Sequence, residues 1–295
     1  MSLRLAVIGK TGQLGQALLR EGEALGHQII ALDREALDLR SSPKDIEAAI
    51  TALPSGLDGL ILAAAYTDVD GAESNADLAY AVNSTGPSVI AKACAQHDIP
   101  IIHISTDYVF DGEADQPYTP DNDTDPLGVY GASKLDGELA VLSSGARALI
   151  LRTSWIFDGI NKNFLTTMLK LSDTRDEVSV VDDQIGRPTY AGHLAHAVLK
   201  AAEGLAEEPD IETGVYHITG SGEEVSWAGF AKAIFKSEGR DVYVDEIPTS
   251  DYPTDAERPQ YSVLDTERFE RTFRHPLPEW QAGLRAALDE RDENG

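Results

Sequence analysis

A glycine-rich loop, GKTGQLG at residues 9–15, follows a short apolar run at residues 3–8 and leads into a helical pattern over residues 13–25. Glycines spaced G-x-x-G-x-x-G between a buried strand and a helix start let the backbone approach a pyrophosphate, whose charge the helix N-terminus favours. A tight turn without a ligand would use the same residue types. The spacing predicts a βα unit with a candidate phosphate site at Gly9, Gly12 and Gly15.

The pattern after this loop alternates between apolar runs and helical periods. Four more strands are predicted at residues 28–32, 57–64, 99–105 and 148–152, with helices near residues 43–52 and 78–96 and another that carries residues 130–134. Such alternation is typical of an α/β fold with a Rossmann-type, doubly wound parallel sheet.

Prolines and short apolar segments become frequent beyond residue 154, where we expect one strand at 214–219 and helices at 226–237 and 279–291. We interpret this part as a smaller α+β lobe over the strand ends, where open α/β sheets bind ligands. The predicted domains are a nucleotide-binding domain at residues 1–155 and a substrate-binding lobe at 156–295. The boundary is approximate, and the chain is free to cross back.

Acidic residues dominate the charge of this chain of 295 residues, with 50 Asp and Glu against 24 Lys and Arg and a net charge of −26. This balance disfavours nucleic acid as a partner. Because the acidic residues are spread along the chain rather than gathered in a tail, we expect a surface adapted to a salt-rich, halophilic cytoplasm, where ions screen its repulsion.

Targeting and metal signals are absent from the sequence. Its apolar runs are shorter than the ~18 residues of a membrane span, so we expect a cytoplasmic protein without a membrane partner. The single cysteine, Cys94, excludes an internal disulfide. His193 and His196 form the one pair with metal-like spacing, which is more typical of a helix face than of a ligand set. No metal ligand is therefore predicted.

Two residues after the second predicted strand bear on the choice of a dinucleotide. Asp33 follows the glycine loop by about 20 residues, where an acidic side chain can bind an adenosine 2′-hydroxyl. Arg34 beside it suits a 2′-phosphate instead. The sequence therefore does not distinguish NAD from NADP as the cofactor.

The segments STD at 105–107 and YGASK at 130–134 indicate proton transfer. Tyr130 and Lys134 are four residues apart on one helix face, so the ammonium can stabilise a phenolate. Thr106 follows the fourth strand and can hydrogen-bond a carbonyl oxygen while Tyr130 donates a proton, although Ser-Thr-Asp is also an ordinary turn and cap sequence. After the third strand, three alanines permit either close passage of a cofactor or close packing: Ala63, Ala64, Ala65.

Six segments resemble, in order and spacing, the motifs of the dTDP-4-dehydrorhamnose reductase family of extended short-chain dehydrogenases/reductases. They are GKTGQLG (9–15), AAAYTDVD (63–70), STDYVF (105–110), YGASK (130–134), RTSW (152–155) and DQIGRPT (183–189). A weaker match continues to RP at 258–259 and LD at 264–265. The resemblance implies an oxidoreductase that uses NADPH or NADH to reduce the C4 keto group of a dTDP-linked 4-keto-6-deoxysugar, in the biosynthesis of dTDP-L-rhamnose.

The resemblance also implies residue roles. Tyr130 would donate the proton, Lys134 would bind the nicotinamide ribose and tune Tyr130, and Thr106 would complete the catalytic set. The implied cofactor residues are Gly9, Gly12, Gln13, Leu14, Gly15, Asp33, Arg34, Asp38, Leu39, Ala63, Ala64, Ala65, Tyr130 and Lys134. The implied substrate residues are Thr106, Asp107, Trp155 and Arg187.

One position departs from the family pattern, because Leu62 stands where an Asn often precedes the alanines. A hydrogen bond through that Asn is therefore in question. A homodimer is a further expectation. Some relatives hold Mg²⁺ at subunit contacts, a feature that no residue of this sequence supports.

Two alternatives stay open at this level. A nucleotide-sugar epimerase or dehydratase has the same fold and Tyr/Lys pair, but dehydratases typically have Thr-Asp-Glu where this chain has Tyr108 in place of the Glu. A non-catalytic subunit, similar to the regulatory subunit of methionine adenosyltransferase, is the second alternative. Retention of Thr106, Tyr130 and Lys134 favours an enzyme over such a subunit.

Overall fold

The computed structural model describes residues 2–294, which form a six-stranded parallel sheet flanked by helices and a lobe of three two-stranded sheets. The strands are β1 (Arg4–Ile8), β2 (Gln28–Leu32), β3 (Gly59–Leu62), β4 (Ile101–Thr106), β5 (Ala148–Thr153), β6 (Ile156–Phe157), β7 (Glu177–Val181), β8 (Ile185–Gly186), β9 (Thr189–Tyr190), β10 (Gly214–His217), β11 (Val225–Ser226) and β12 (Tyr243–Ile247). The helices are α1 (Gln13–Ala24), α2 (Pro43–Thr51), α3 (Val69–Ser74), α4 (Ala76–Tyr80), α5 (Gly86–Gln96), α6 (Val129–Leu142), α7 (Phe164–Ser172), α8 (Ala191–Glu207), α9 (Trp227–Ser237), α10 (Glu267–Phe273) and α11 (Trp280–Asn294).

The large sheet has the order β2-β1-β3-β4-β5-β10, so the strand order reverses beside β1. Its inner strands are mostly apolar because helices cover both faces, and the buried polar residues of β4 and β5 lie mainly toward their carboxyl ends. Within β1, Leu5 and Val7 join the core under α1 and α8, while Ala6 and Ile8 join the core under α2 and α5. The predicted doubly wound fold is confirmed, and its switch point puts the ends of β1 and β3 at the position where such sheets bind ligands.

The chain crosses back into this layer after the first five strands. Helix α8 packs against α1, and β10 pairs in parallel with β5. Helix α8 was not predicted, although its partly exposed side chains recur at helical spacing opposite a buried apolar face: His193, His196, Lys200 and Glu203. The domain boundary at residue 155 stays a prediction. Residues 191–217 lie beyond that boundary but pack in the layer of the large sheet.

The remaining lobe has its own apolar core, built by α7, α9, α11 and the parallel pair β7–β12. The predicted helices at 226–237 and 279–291 correspond to α9 and α11. Two smaller pairs, β6–β9 and β8–β11, connect the lobe to the segment that follows β5. Their two-residue strands are too short to give an alternating pattern in the sequence.

Across residues 2–294, no helix combines the length and the apolar character that a bilayer crossing requires. Cys94 is buried in the core, and burial raises the pKa of its thiol to about 12.

Candidate active site

A cleft of about 740 Å³ lies at the carboxyl edge of the large sheet, between the sheet and the lobe. The ends of β1, β3, β4 and β5 form one wall, which we call the sheet wall. Residues after β5 and side chains of the lobe form the other, which we call the lobe wall. Every predicted site residue except Arg187 lines this cleft.

The glycine loop forms the floor of the cleft at the start of α1. A Cβ on Gly15 would lie 2.1 Å from the carbonyl oxygen of Gly9, and one on Gly9 would lie 2.6 Å from the amide nitrogen of Ala64. Gly9 also has φ of +101°, and Gly12 precedes α1 as its N-cap. Because the loop, the alanine segment and the helix start touch, a pyrophosphate fits here against backbone amides.

The lobe holds one residue of this floor in place. Asn163 donates from Nδ2 to Oε1 of Gln13 at 3.0 Å, and a capping box with Thr166 orders Asn163 at the start of α7. The sequence predicted Gln13 as a cofactor residue but contains no local signal for its partner, which is 150 residues away.

Asp33 lies at the end of the cleft that is predicted to hold the adenosine, and both of its carboxylate oxygens contact neighbouring residues. Its Oδ1 accepts from the amides of Glu35 and Ala36 at 3.0 Å, and its Oδ2 lies 2.8 Å from Nζ of Lys10. The hydrogen bond from Lys10 lowers the pKa of Asp33. Lys10 thus neutralises the carboxylate that would repel a 2′-phosphate, a role that sequence reasoning missed.

Asp38 lines the same end of the cleft and is also paired. Its carboxylate accepts from the Nε atom of Arg40 at 2.9 Å, and this bond lowers the pKa of Asp38 to about 2. Arg34 is exposed beside it, so three cationic side chains border this end of the cleft, two of them in ion pairs with Asp33 and Asp38.

Ala63, Ala64 and Ala65 line the cleft after β3, as predicted. Leu62 is fully buried in the apolar core and makes no polar contact there. Asn83 instead supports this segment, because its Oδ1 accepts from the amide of Tyr66 at 2.8 Å and its Nδ2 donates to the carbonyl of Tyr66 at 3.1 Å. A π-helical turn at Ala81–Thr85 interrupts the single helix predicted over 78–96 and carries Asn83.

Thr106 and Tyr130 meet at the centre of the sheet wall. Burial raises the pKa of Tyr130 to about 12, and a side-chain hydrogen bond with Thr106 opposes that rise. The phenol is therefore protonated at neutral pH, which is the form required of a proton donor.

Asp107 is buried beside this pair and has one free oxygen. Its Oδ1 accepts from the Thr106 hydroxyl at 3.0 Å, whereas Oδ2 has no hydrogen-bond partner among residues 2–294. Burial raises the pKa of Asp107 to about 6. An unpaired buried carboxylate oxygen at the cleft is suited to accept a hydroxyl of a ligand.

Lys134 lies beneath Tyr130 on α6, and its ammonium contacts the sheet rather than the phenol. Its Nζ donates to the carbonyl of Ile104 at 2.6 Å and lies 3.5 Å from Nε2 of His103. Burial lowers the pKa of Lys134 to about 8, and Glu138 one turn along the helix opposes this shift.

The substrate side of the cleft contains Trp155 but not Arg187. Arg187 donates from Nη1 to the carbonyl of Leu264 at 3.4 Å and does not line the cleft, and its substrate contact stays a prediction. Trp155 instead stacks on Trp227, a lobe residue that sequence reasoning did not single out, with ring centroids 3.6 Å apart.

The family described as "RmlD substrate binding domain" matches residues 3–293 of this chain. A dTDP-4-dehydrorhamnose reductase of Sinorhizobium fredii is 42% identical over 288 residues, which cover 96% of each chain. This chain belongs to that family. The resemblance inferred from the six motifs is thereby confirmed.

Two solved structures of dTDP-4-dehydrorhamnose reductases are similar to this chain over its whole fold. The enzyme of Clostridium acetobutylicum has a TM-score of 0.91 at 35% identity and covers 98% of this chain and 100% of its own. The enzyme of Bacillus anthracis, in complex with NADP, has a TM-score of 0.90 at 33% identity with the same coverage. The family fold thus includes both walls of the cleft.

Proposed function

We propose that this protein reduces the C4 keto group of dTDP-4-dehydro-L-rhamnose to a hydroxyl, giving dTDP-L-rhamnose, with NADPH or NADH as the reductant. One observation carries the proposal: the glycine loop, the alanine segment, Thr106 and Tyr130 line a single cleft. The names of the relatives support the same reaction.

The cradle of Gly9, Gly12 and Gly15 fits a dinucleotide, because Gly9 and Gly15 let the loop pack closely on the alanine segment and on itself. Beside Gly12 there is open space, since an added Cβ there would meet only the carbonyl oxygen of Gly9, at 3.7 Å. When bound, the nicotinamide group supplies the hydride that adds to C4 of the sugar. Tyr130 gives its hydroxyl proton to the keto oxygen, so one carbonyl becomes one secondary alcohol. Thr106 holds that oxygen by a hydrogen bond.

The remaining predicted residues bind and orient the reactants in this proposal. Lys134 has three donors and uses one on the carbonyl of Ile104, so others are free for the ribose hydroxyls. Asp107 accepts a sugar hydroxyl through its unpaired oxygen. Trp155 covers the apolar face of the 6-deoxy ring.

Both NADPH and NADH serve as reductant in this proposal. The NADP complex of the Bacillus anthracis relative supports NADPH. The neutralised Asp33 tolerates the additional phosphate, while an adenosine 2′-hydroxyl can still reach the acidic side chain.

A turnover assay tests the proposal. Purified protein is given dTDP-4-dehydro-L-rhamnose with NADPH or NADH, loss of the reduced-nicotinamide absorbance is followed, and the product is identified by mass spectrometry and NMR. We expect dTDP-L-rhamnose with either reductant. Cofactor binding without turnover would instead support a regulatory subunit, and loss of water from a dTDP-hexose would support a dehydratase.

The proposal includes a homodimer and a cytoplasmic location, and it assigns no residue of the chain to Mg²⁺. Light scattering should give a mass near twice the chain mass of 31.8 kDa. Turnover should be the same with EDTA as with added MgCl₂. A monomeric mass, or dependence of the rate on Mg²⁺, would contradict these parts separately.

A further inference from the structure

Trp155 has a backbone conformation that tryptophan rarely adopts. Its φ is +47°, in the left-handed region, where a residue with a Cβ is strained. Such strain persists only where surrounding contacts hold it. Because Trp155 lines the cleft, the contacts that hold it also determine the shape of the lobe wall.

Three contacts hold this residue. The carbonyl of Trp155 accepts from the amide of Thr189 at 3.1 Å, and the indole lies against Gly186, where an added Cβ would meet the ring at 2.7 Å. Trp227 stacks on the indole with an interplanar angle of 10°.

The fold brings Trp227 to this position through the antiparallel pair β8–β11. Val225 is opposite Gly186, Ser226 is opposite Ile185, and Trp227 follows as the first residue of α9. Ser226 caps that helix by accepting from the amide of Gly229 at 2.9 Å. Trp227 also lies against Phe164 of α7, with ring centroids 4.7 Å apart. Trp227 is therefore anchored by the lobe and reaches across to a residue that follows β5.

The two stacked indoles form part of the cleft surface rather than of a closed core. Both are half-buried and line the cleft, whereas Trp280, the third tryptophan, is 5% exposed within the lobe core. Trp280 donates from Nε1 to the carbonyl of Glu223 at 2.8 Å. Neither of the other two indole N–H groups has an acceptor among residues 2–294. A centroid distance of 3.6 Å leaves no space for a ligand ring between them, so the pair presents one joint surface.

We infer that Trp227 is a positioning residue: it holds the strained Trp155 indole as the wall on which the 6-deoxysugar ring of the substrate packs. This inference rests on the proposed function. It assigns to the lobe a role in sugar specificity, exerted through Trp155, while cofactor binding remains with the sheet wall.

The experiment compares Trp227→Leu, Trp227→Phe and, as a matched control, Trp280→Phe. Two closely stacked indoles give an exciton couplet in circular dichroism, which reports the pair in the ligand-free protein. Binding of dTDP-L-rhamnose, dTDP and NADPH is measured by calorimetry, and kcat and KM are measured with the keto-sugar.

Trp227→Leu should abolish the couplet, raise both KM and the Kd for dTDP-L-rhamnose by about tenfold and change kcat and the NADPH Kd less than about twofold. Trp227→Phe should keep a stacked ring and restore most of the sugar affinity. Trp280→Phe should retain the couplet and the parent affinity for the sugar.

Unchanged sugar affinity in a folded Trp227→Leu protein would overturn the inference, as would equal weakening of dTDP and dTDP-L-rhamnose or a parallel loss of NADPH affinity. If Trp227→Leu does not fold, Trp227→Met supplies an unbranched side chain without a ring, and unchanged KM in that variant would be equally contrary. The proposed function fails on a different result, which is that the parent protein does not turn over the keto-sugar. The binding measurements with dTDP-L-rhamnose, dTDP and NADPH need no turnover, so the two failures can be distinguished.

Discussion

The two walls of the cleft are built in different ways. On the sheet wall, Gly9 and Ala64 follow the ends of β1 and β3, and Thr106 is the last residue of β4, so one sheet edge collects them. On the lobe wall, Trp227 reaches the cleft through a pairing of two-residue strands, and Asn163 through a helix cap. The first wall is positioned by a continuous sheet, and the second by a few side-chain contacts.

We expect the sheet wall to position the groups that transfer the proton, and the lobe wall to determine which sugar is bound. Atoms on a six-stranded sheet are held by many backbone hydrogen bonds, so they suit proton transfer, which requires accurate distances. Side chains on short pairs are held mainly by packing, which suits recognition of an apolar sugar face. Changes to the proton-transfer residues of the sheet wall should therefore reduce the rate, and changes to the lobe wall should reduce the affinity for the sugar.

The largest effect is expected from Tyr130→Phe. Removal of the phenol hydroxyl should lower kcat by about 10²–10⁴-fold, because the keto oxygen loses its proton donor. The Kd for NADPH should stay within about twofold, since the ring remains in place. Kinetics and calorimetry on the folded variant measure both quantities. Near-normal turnover would remove Tyr130 from its proposed role.

Asp107→Ala tests whether the unpaired Oδ2 atom binds the sugar. Loss of a hydrogen bond to a charged group costs about 1.5–3 kcal/mol, so kcat/KM for the keto-sugar should fall by about 10- to 100-fold. The Kd for NADPH should be nearly unchanged. Asp115→Ala, at an exposed position of the same loop region, is the control and should match the parent. Weakening of cofactor and substrate together would contradict the assignment.

The pH dependence of cofactor binding tests Lys134, whose pKa burial lowers to about 8. As the pH rises through about 8 the ammonium loses its proton, so the affinity for NADPH and kcat should both decline. From about 8 to the ordinary value of 10.5 the native state holds fewer protons at Lys134 than the unfolded chain does, so this residue's contribution to the free energy of unfolding rises over that window.

Lys134→Met is the matched variant for this pH profile. It should bind NADPH more weakly at pH 7, and its affinity should no longer decline near pH 8. Titration calorimetry from pH 6 to 9 measures the two curves. Parallel curves for parent and variant would show that another group titrates, and an unchanged Kd would show that the ammonium does not hold the ribose.

A smaller effect is expected for the 2′-phosphate residues Arg34 and Lys10. Arg34→Ala should weaken NADPH binding by about 2- to 5-fold, because an exposed ion pair contributes less than about 1 kcal/mol. The affinity for NADH should be unchanged, since NADH has no 2′-phosphate. Lys10→Met should have the same selectivity, since it leaves the Asp33 carboxylate unneutralised beside the phosphate. Equal losses with NADPH and NADH would contradict both roles.

The smallest effect per residue is expected from salt. With a net charge of −26 spread along the chain, the melting temperature should rise from low salt to molar KCl, because ions screen the repulsion between surface carboxylates. Differential scanning calorimetry in KCl measures the rise, and glycerol serves as a control for general solvent effects. A constant melting temperature would contradict adaptation to salt.

The sequence by itself determined the sheet wall. The glycine loop, Thr106 and the Tyr130/Lys134 pair were predictable because each lies within a few residues of a strand or helix that the periodicity identifies. The family followed from the order of those motifs. The central strands were predictable for the same reason, since burial on both faces makes them continuous apolar runs.

Contacts between residues far apart in the sequence are evident only from the tertiary structure. Several contacts join residues that share no local sequence pattern. They are the ion pair of Lys10 with Asp33, the hydrogen bond from Tyr66 to Asn83, the contact of Arg187 with Leu264 outside the cleft, and the stack of Trp227 on Trp155. Local periodicity reports which face of an element is buried, but not which element covers it. The lobe wall depends on that second choice, which packing makes only when the chain is folded.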